Sequence, residues 1–381
     1  MRHHQYNPDF NFIKEPGEFN KYTDREFLQY CLGAILYTPG TKNIKSAIIN
    51  NKFPGLTTMV LDFEDGIEGK DLSKAEENVI ELLTFVSKKI DSRELSHNKL
   101  PLFLIRPRNL KQFKKFTKQL NKNHIKILTG FELPKFNSNN GNQYLEHLKK
   151  LNNEFDEILY SLPVLEDEKV AYKENRSDEL MNIKKIISSY DELILDMGIG
   201  GTDFSSLFNL RRNIDNTIYD LMNVKDCLTD IMNYFNRKDK NYIFSGPVWE
   251  YFDNDNEVNY TKLKEKDFPD ILFRKETFIN KAIDGLLREV LLDKANGFIG
   301  KGIIHPSQIK YVNAMQAVPK EKYEDALQIL DTSDGVIKSK NENKMNEINP
   351  HRSWAKKIKY RAKAYGVIKD NNDYVKLFAH I

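Results

Sequence analysis

Cysteine is nearly absent. The 381 residues hold two, Cys31 and Cys227, far apart in the chain, which excludes a disulfide framework and any cysteine-built metal or redox motif. No apolar run approaches the ~20 residues of a membrane span. The stretch MRHHQYNPDFNF has no apolar h-region, so no secretory signal is expected and a reducing cytoplasm fits best. Two nucleotide signatures are also lacking: no GxGxxG follows the first strand-like run, and no glycine-rich loop ends in Lys-Ser/Thr. A strong excess of one charge is missing as well, with 58 basic against 55 acidic residues.

What is present is a soluble, globular composition, 40% hydrophobic and 30% charged, long enough to bury a substantial core. Eight short apolar runs follow one another: GAILYTPG, TTMVLDFEDG, PLFLIRPRN, ILTGFELPKF, EILYSLPVLED, ELILDMGIGG, NYIFSGPVWE and GFIGKGIIHPSQ. Each is strand-length and mostly apolar rather than alternating, the pattern of strands covered on both faces. Amphipathic stretches such as DLSKAEENVIELLTFVSKKI separate most of them. Strand and helix alternating eight times predict an α/β fold, a (β/α)8 TIM barrel over residues 31–335. A doubly wound open sheet is the alternative. Residues 1–30 read as an N-terminal extension that wraps the barrel or pairs with another subunit. Residues 336–381 read as a basic linker and a helical segment, with eleven basic against four acidic residues. That helix, from about 350 to 368, is expected to turn Trp354, Ile358 and Tyr365 inward, and to act as a lid over the active rim or in oligomerisation.

The ends of the runs are polar. Tyr37, Thr38, Pro39 and Gly40 end the first; Asp62, Glu64 and Asp65 the second; Arg106 and Arg108 the third. Glu132 and Lys135 end the fourth, Glu166 the fifth, Asp203 the sixth and His305 the last. One charged strand end is a chain returning to water. Six around one barrel rim read as a site, because active sites of this fold sit there. The segment GIGGTDF by itself is equally a turn.

The motifs LYTPGTKNIKSAI, VLDFEDGI, LIRPRN, LPK, PVLE, GGTDF and GFIGKGIIHPSQIKYVNAM occur in that order. Together they resemble the HpcH/HpaI aldolase and citrate lyase β-subunit superfamily, from about Leu32 to Leu330. The closing NPHRSWAKKIKYRAKAYGV resembles the branch of carbon–carbon bond lyases found beside tellurium-resistance and stress-response genes. The resemblance implies a metal-dependent lyase that works through an enolate on an oxo- or hydroxy-acid-like substrate. It implies Mg2+ (or Mn2+) held by Glu166 and Asp203, since Mg2+ takes few protein carboxylates and keeps water or substrate oxygens.

Arg106 matches the family arginine, suited to a substrate carboxylate or enolate oxygen, with Arg108 as a second choice of register. Its alternative is a salt bridge to Glu64 or Asp65. Those two acids match the family's LEDG pattern and are assigned to catalysis with Arg106, one of them as a proton carrier. Tyr37, Pro39, Gly40, Lys135, Gly201 and His305 are assigned to substrate binding. Gly201 and its neighbours would let backbone approach the ligand; His305 is alternatively a helix-start residue before Pro306. Two departures stand out: Asp167 replaces the threonine common after the metal glutamate, and the stretch between Glu166 and Asp203 is longer than in the shorter citrate-lyase-like members. No sequence feature demonstrates a coenzyme A pocket. A homo-oligomer is expected; a membrane or nucleic-acid partner is not. The competing readings are a silent scaffold barrel and a nucleotide- or RNA-binding protein using the basic tail.

Overall fold

The computed structural model describes residues 1–238, 240–253 and 268–379. Seven strands form one parallel sheet: β1 (Ala34–Pro39), β2 (Thr58–Asp62), β3 (Leu102–Arg106), β4 (Leu128–Leu133), β5 (Tyr160–Leu165), β6 (Gly198–Ile199) and β7 (Lys301–Ile303). Their order is β6-β5-β4-β3-β2-β1-β7. β1 to β6 lie side by side in chain order, while β7 returns to pair with the far side of β1. Residues 243–246 bond to both edges, which sets the open-sheet alternative aside. Residues 243–246 lie between the two outer strands. The Met197 amide donates to the Ile243 carbonyl at 2.9 Å, and Gly302 donates to Gly246 at 3.0 Å. Parallel bridges also join Met197 to Phe244 and Gly246 to Lys301.

The strand residues sort into two cores. Ile35, Val60, Leu104 and Leu162 face inward with Leu195, Ile243 and Ile299. Leu36, Met59, Leu61, Phe103 and Ile105 face the helices. This is the period-2 alternation of a pleated strand with apolar cover on both sides, and it explains runs with no polar face. The helix Leu72–Asp91 shows the complementary rule: Ala75, Val79, Leu82, Leu83 and Val86 are buried at helical spacing.

The termini close the strand-start end. The Met1 ammonium donates to Phe19 O at 2.6 Å. His3 bonds Ala364 O and Cys31 O at 2.9 and 3.1 Å, and its ring lies 4.0 Å from that of Tyr365. The helix Ile348–Tyr365 buries Ile358 and Tyr365. Trp354 instead stays 38% exposed, which corrects the inward placement. Within its own chain this helix packs beside Phe27, Leu28 and Cys31 at the strand starts, away from the polar strand ends. The linker expected at 336–349 contains an antiparallel pair, Val336–Lys338 with Met345–Glu347. It is pinned by Lys344 on Asp325 at 2.7 Å and by Asn346 on Asp325 at 3.0 Å. Local composition reads as flexible; the partners that order it are distant in sequence. Among the described residues no helix is long and apolar enough to cross a membrane.

Candidate active site

The polar strand ends open onto one cavity of about 530 Å3. Asp62 stands at its centre. Its carboxylate caps its own turn, accepting the Glu64 amide at 2.9 Å and the Gly66 amide at 2.8 Å. It also grips Arg106 through two parallel bonds, from Nε at 2.7 Å and from Nη2 at 2.8 Å. β2 and β3 pair in register at these two residues, so the sheet itself builds this bidentate contact, the strongest kind of Arg–carboxylate pair. Nη1 reaches Glu64 and Asp65, both at 3.2 Å, and the guanidinium lies 4.9 Å from the Tyr37 ring centre. The salt-bridge alternative is therefore present, and the same arginine lines the cavity.

The next strand ends supply the second half. Lys135 has a positive φ of 48°, uncommon for a residue with a side chain. Its amide donates to Glu166 Oε1 at 2.9 Å. Its ammonium lies 2.7 Å from Glu64, 3.3 Å from Asp203 and 3.7 Å from Glu166. Burial, then Asp203 and Glu64, pushes the Glu166 carboxyl well above its usual range, while Lys135 works the other way. Burial disfavours the Lys135 ammonium, but Glu166, Glu64 and Asp203 outweigh it and raise its pKa. Burial also raises Glu64, against the pull of Arg106 and Lys135.

One point cation thus already touches oxygens of both Glu166 and Asp203. Two hard carboxylate donors sharing one cation are a chemically suitable set for Mg2+, which completes its shell with water. Among the described residues no three His, Cys, Asp or Glu side chains converge as a ready-made cage. Gly200 secures the geometry: a Cβ there would fall 2.2 Å from Glu166 Oε2. The glycine makes room for the glutamate, whereas the sequence suggested room for the ligand. A Cβ on Gly201 would meet Pro247 at 3.0 Å.

Of the expected residues, Tyr37, Pro39, Asp65, Arg106, Glu166, Gly201 and Asp203 line the cavity. Glu64 and Lys135 stand just behind, held against these residues. Three others lie outside the lining. Arg108 spends its guanidinium on the carbonyls of Phe63, Glu64 and Ile67. Gly40 packs under Phe63. His305 accepts the Ser307 amide at 3.2 Å and stacks on Phe252 at 4.2 Å, the helix-start role. Asp167 likewise caps a helix, accepting from Lys169 N at 3.0 Å.

Asp196, Ser245 and Glu250 line the cavity without having been singled out beforehand. Asp196 and Ser245 sit deep in the cavity, where the serine donates to Asp196 Oδ2 at 2.5 Å. Glu132 accepts the Tyr37 hydroxyl at 2.8 Å; burial raises its pKa to about 7, against Arg106 and Tyr37. Glu250 is fixed by Arg212 at 2.7 Å and by Thr202 at 2.9 Å. An acid inside an apolar run, as in LILDMG, was the available signal for Asp196. In all, seven acidic residues and one arginine line the cavity, an imbalance suited to a bound cation.

A parallel sheet thus gathers acids and an arginine from successive strand ends around one cavity, with Lys135 just behind them. The chain belongs to the C–C bond lyase family of the TIM-barrel fold, whose model matches residues 26–367. It is a carbon–carbon lyase by that membership. Among solved structures it is similar to the protein CitE from Mycobacterium tuberculosis in complex with magnesium, acetoacetate and coenzyme A. That pair is 14% identical over 88% of this chain and 99% of the other, with a TM-score of 0.53. RipC from Yersinia pestis is 15% identical over 75% of this chain and 95% of its own, with a TM-score of 0.46. The citrate lyase β subunit from M. tuberculosis, complexed with oxaloacetate and magnesium, is 15% identical over 75% and 96%, with a TM-score of 0.44. At these identities the likeness is one of fold. No curated protein matches the sequence.

Proposed function

We propose that the chain is a Mg2+-dependent lyase or aldolase that breaks, or in reverse forms, a carbon–carbon bond in an oxo- or hydroxy-acid-like substrate through an enolate. The observation that carries this reading is the shared cation: the Lys135 ammonium lies 3.3 Å from Asp203 and 3.7 Å from Glu166, so both acids reach one positive centre. Glu166 and Asp203 are the residues that would hold the ion. When bound, Mg2+ supplies Lewis-acid stabilisation of the charge that develops beside a carbonyl. The relative CitE is held with magnesium and acetoacetate, itself an oxo acid.

The chain's own groups divide the remaining work. Arg106, locked by Asp62, presents Nη1 to the cavity. Asp65, with its side chain 60% exposed, is the partner that a substrate carboxylate replaces there. Glu64, raised by burial and placed between Arg106 and Lys135, takes the proton from the substrate's β-hydroxyl. That oxygen becomes the carbonyl of one product, the bond between the α- and β-carbons breaks, and its electron pair passes to the enolate of the other. The enolate is then protonated on carbon; condensation runs the same steps backward.

In this reading residues 243–246 serve as the seventh of eight strands in a closed (β/α)8 barrel at 31–335, supported by their hydrogen bonds to both sheet edges. Segments 1–30 and 336–381 close its floor, and we assign the exposed part of the latter to homo-oligomer contacts. The likeness of the closing segment to the tellurium-resistance branch supports a place in making a stress-response metabolite. Against RNA binding, Arg361 is buried and Lys357 is committed to Asn236 at 2.8 Å. The test is exchange of α-carbon protons of pyruvate or oxaloacetate for deuterium, followed by NMR with Mg2+. Exchange in the wild type that is lost in Glu166→Gln supports the reading; exchange indifferent to that substitution removes it.

A further inference from the structure

The cavity does not stop at the strand ends. Ile35 and Pro39 both line it, four residues apart on β1, which is roughly 13 Å of strand. Barrel interiors of this fold are usually filled by side chains. Here the cavity has apolar walls at Ile35, Leu162 and Val164, and Asp196 and Ser245 also line it. Val164 on β5, two residues short of Glu166, pairs with Gly198, two residues beyond Asp196.

Asp196 is 1% exposed. Ser245 donates to its Oδ2 at 2.5 Å, while Oδ1 has no hydrogen-bond partner. The neighbouring amides are spent on the strand ladder, Met197 on Ile243 O at 2.9 Å and Ser245 on Met197 O at 3.1 Å. A buried carboxyl oxygen without a partner is costly, and this one belongs to a residue that lines the cavity. Burial pushes the Asp196 carboxyl well above its usual range. A hydroxyl offers a donor and two acceptor lone pairs and so satisfies a carboxyl in either protonation state.

We propose that Asp196 and Ser245 form a floor subsite that receives a hydroxyl at the far end of the substrate chain. The substrate class is thereby an oxo acid with a linear, hydroxyl-terminated arm of about six carbons, given the cavity depth less the reach of side chains and hydrogen bonds. The acid end of this statement rests on the reading above; the floor does not.

Titration calorimetry of the full chain with Mg2+ tests it, using 2-oxohexanoate, 6-hydroxy-2-oxohexanoate and hexane-1,6-diol. The hydroxylated acid is expected to bind about tenfold more tightly than its methyl-ended analogue. That preference should vanish in Asp196→Leu and shrink in Ser245→Ala, a smaller change retained in case the first variant does not fold. If neither acid binds but the diol does, and Asp196→Leu or Ser245→Ala weakens it, the floor stands and the oxo-acid reading falls. Equal binding of the two acids by the wild type, a preference that survives both substitutions, or no binding of any of the three probes overturns the proposal.

Discussion

Replacing Lys135 by methionine removes the ammonium that touches Glu64, Glu166 and Asp203 at 2.7, 3.7 and 3.3 Å. If Glu166 and Asp203 hold a divalent ion, that ammonium competes for the same oxygens. After displacement it still stands nearby as a like charge. The Lys135 side chain is 49% exposed, so the water-like limit of the repulsion applies. A doubly charged ion and an ammonium about 6 Å apart then repel by about 1.4 kcal/mol, roughly tenfold in affinity. Lys135→Met is therefore expected to bind Mn2+ about tenfold more tightly than the wild type, with Lys135→Arg close to the wild type. Electron paramagnetic resonance of free Mn2+ measures both. Unchanged or weaker binding by Lys135→Met would refute the competition, and with it the shared-cation argument.

Three further outcomes follow from the geometry. Gly200→Ala places a methyl 2.2 Å from Glu166 Oε2; it should weaken Mn2+ binding at least tenfold and cost about 1–3 kcal/mol of stability by overpacking, read by calorimetry and denaturant melts. Glu132 is raised by burial to about 7 from the ordinary 4.5 of a glutamate. Its penalty is absent below the unfolded pKa, grows as pH rises and is complete above the folded pKa. Glu132→Gln should thus gain up to about 3 kcal/mol relative to the wild type between pH 4.5 and 7, whereas a flat difference across urea melts would contradict the burial argument. Lys301, wholly buried, bridges Glu289 and Asp293 at 2.8 Å each; Glu289 also pairs with Arg212, so Lys301→Met should cost about 3 kcal/mol by leaving the buried Asp293 without a cation, with Mn2+ affinity in the folded fraction unchanged.

The strand order was legible because strands covered on both faces leave continuous apolar runs, and all eight such runs meet the sheet or bridge its edges. The acids and arginine at the strand ends were legible for the same reason, since each closes a run and a parallel sheet gathers those ends on one side. What the sequence left hidden depends on distance in the chain. Nothing local distinguishes Arg106, which faces the cavity, from Arg108, which turns to the carbonyls of Phe63, Glu64 and Ile67. His305 read both as a substrate-binding group and as a helix-start residue, and its contact with the Ser307 amide supports the second. Asp196 lay inside an apolar run, where its tie to Ser245, 49 residues away, could not be read. The helix Ile348–Tyr365 was recognisable by its spacing, but its place at the strand starts follows from contacts with the first residues of the chain.

The most direct test is diffraction from crystals of the full chain grown with millimolar Mn2+ and collected at the manganese absorption edge. A single strong anomalous peak lying between the Glu166 and Asp203 carboxylates, with Lys135 drawn back toward Glu64, is the expected result. No peak there, or a peak elsewhere while the Lys135 ammonium still joins the two acids, would contradict it.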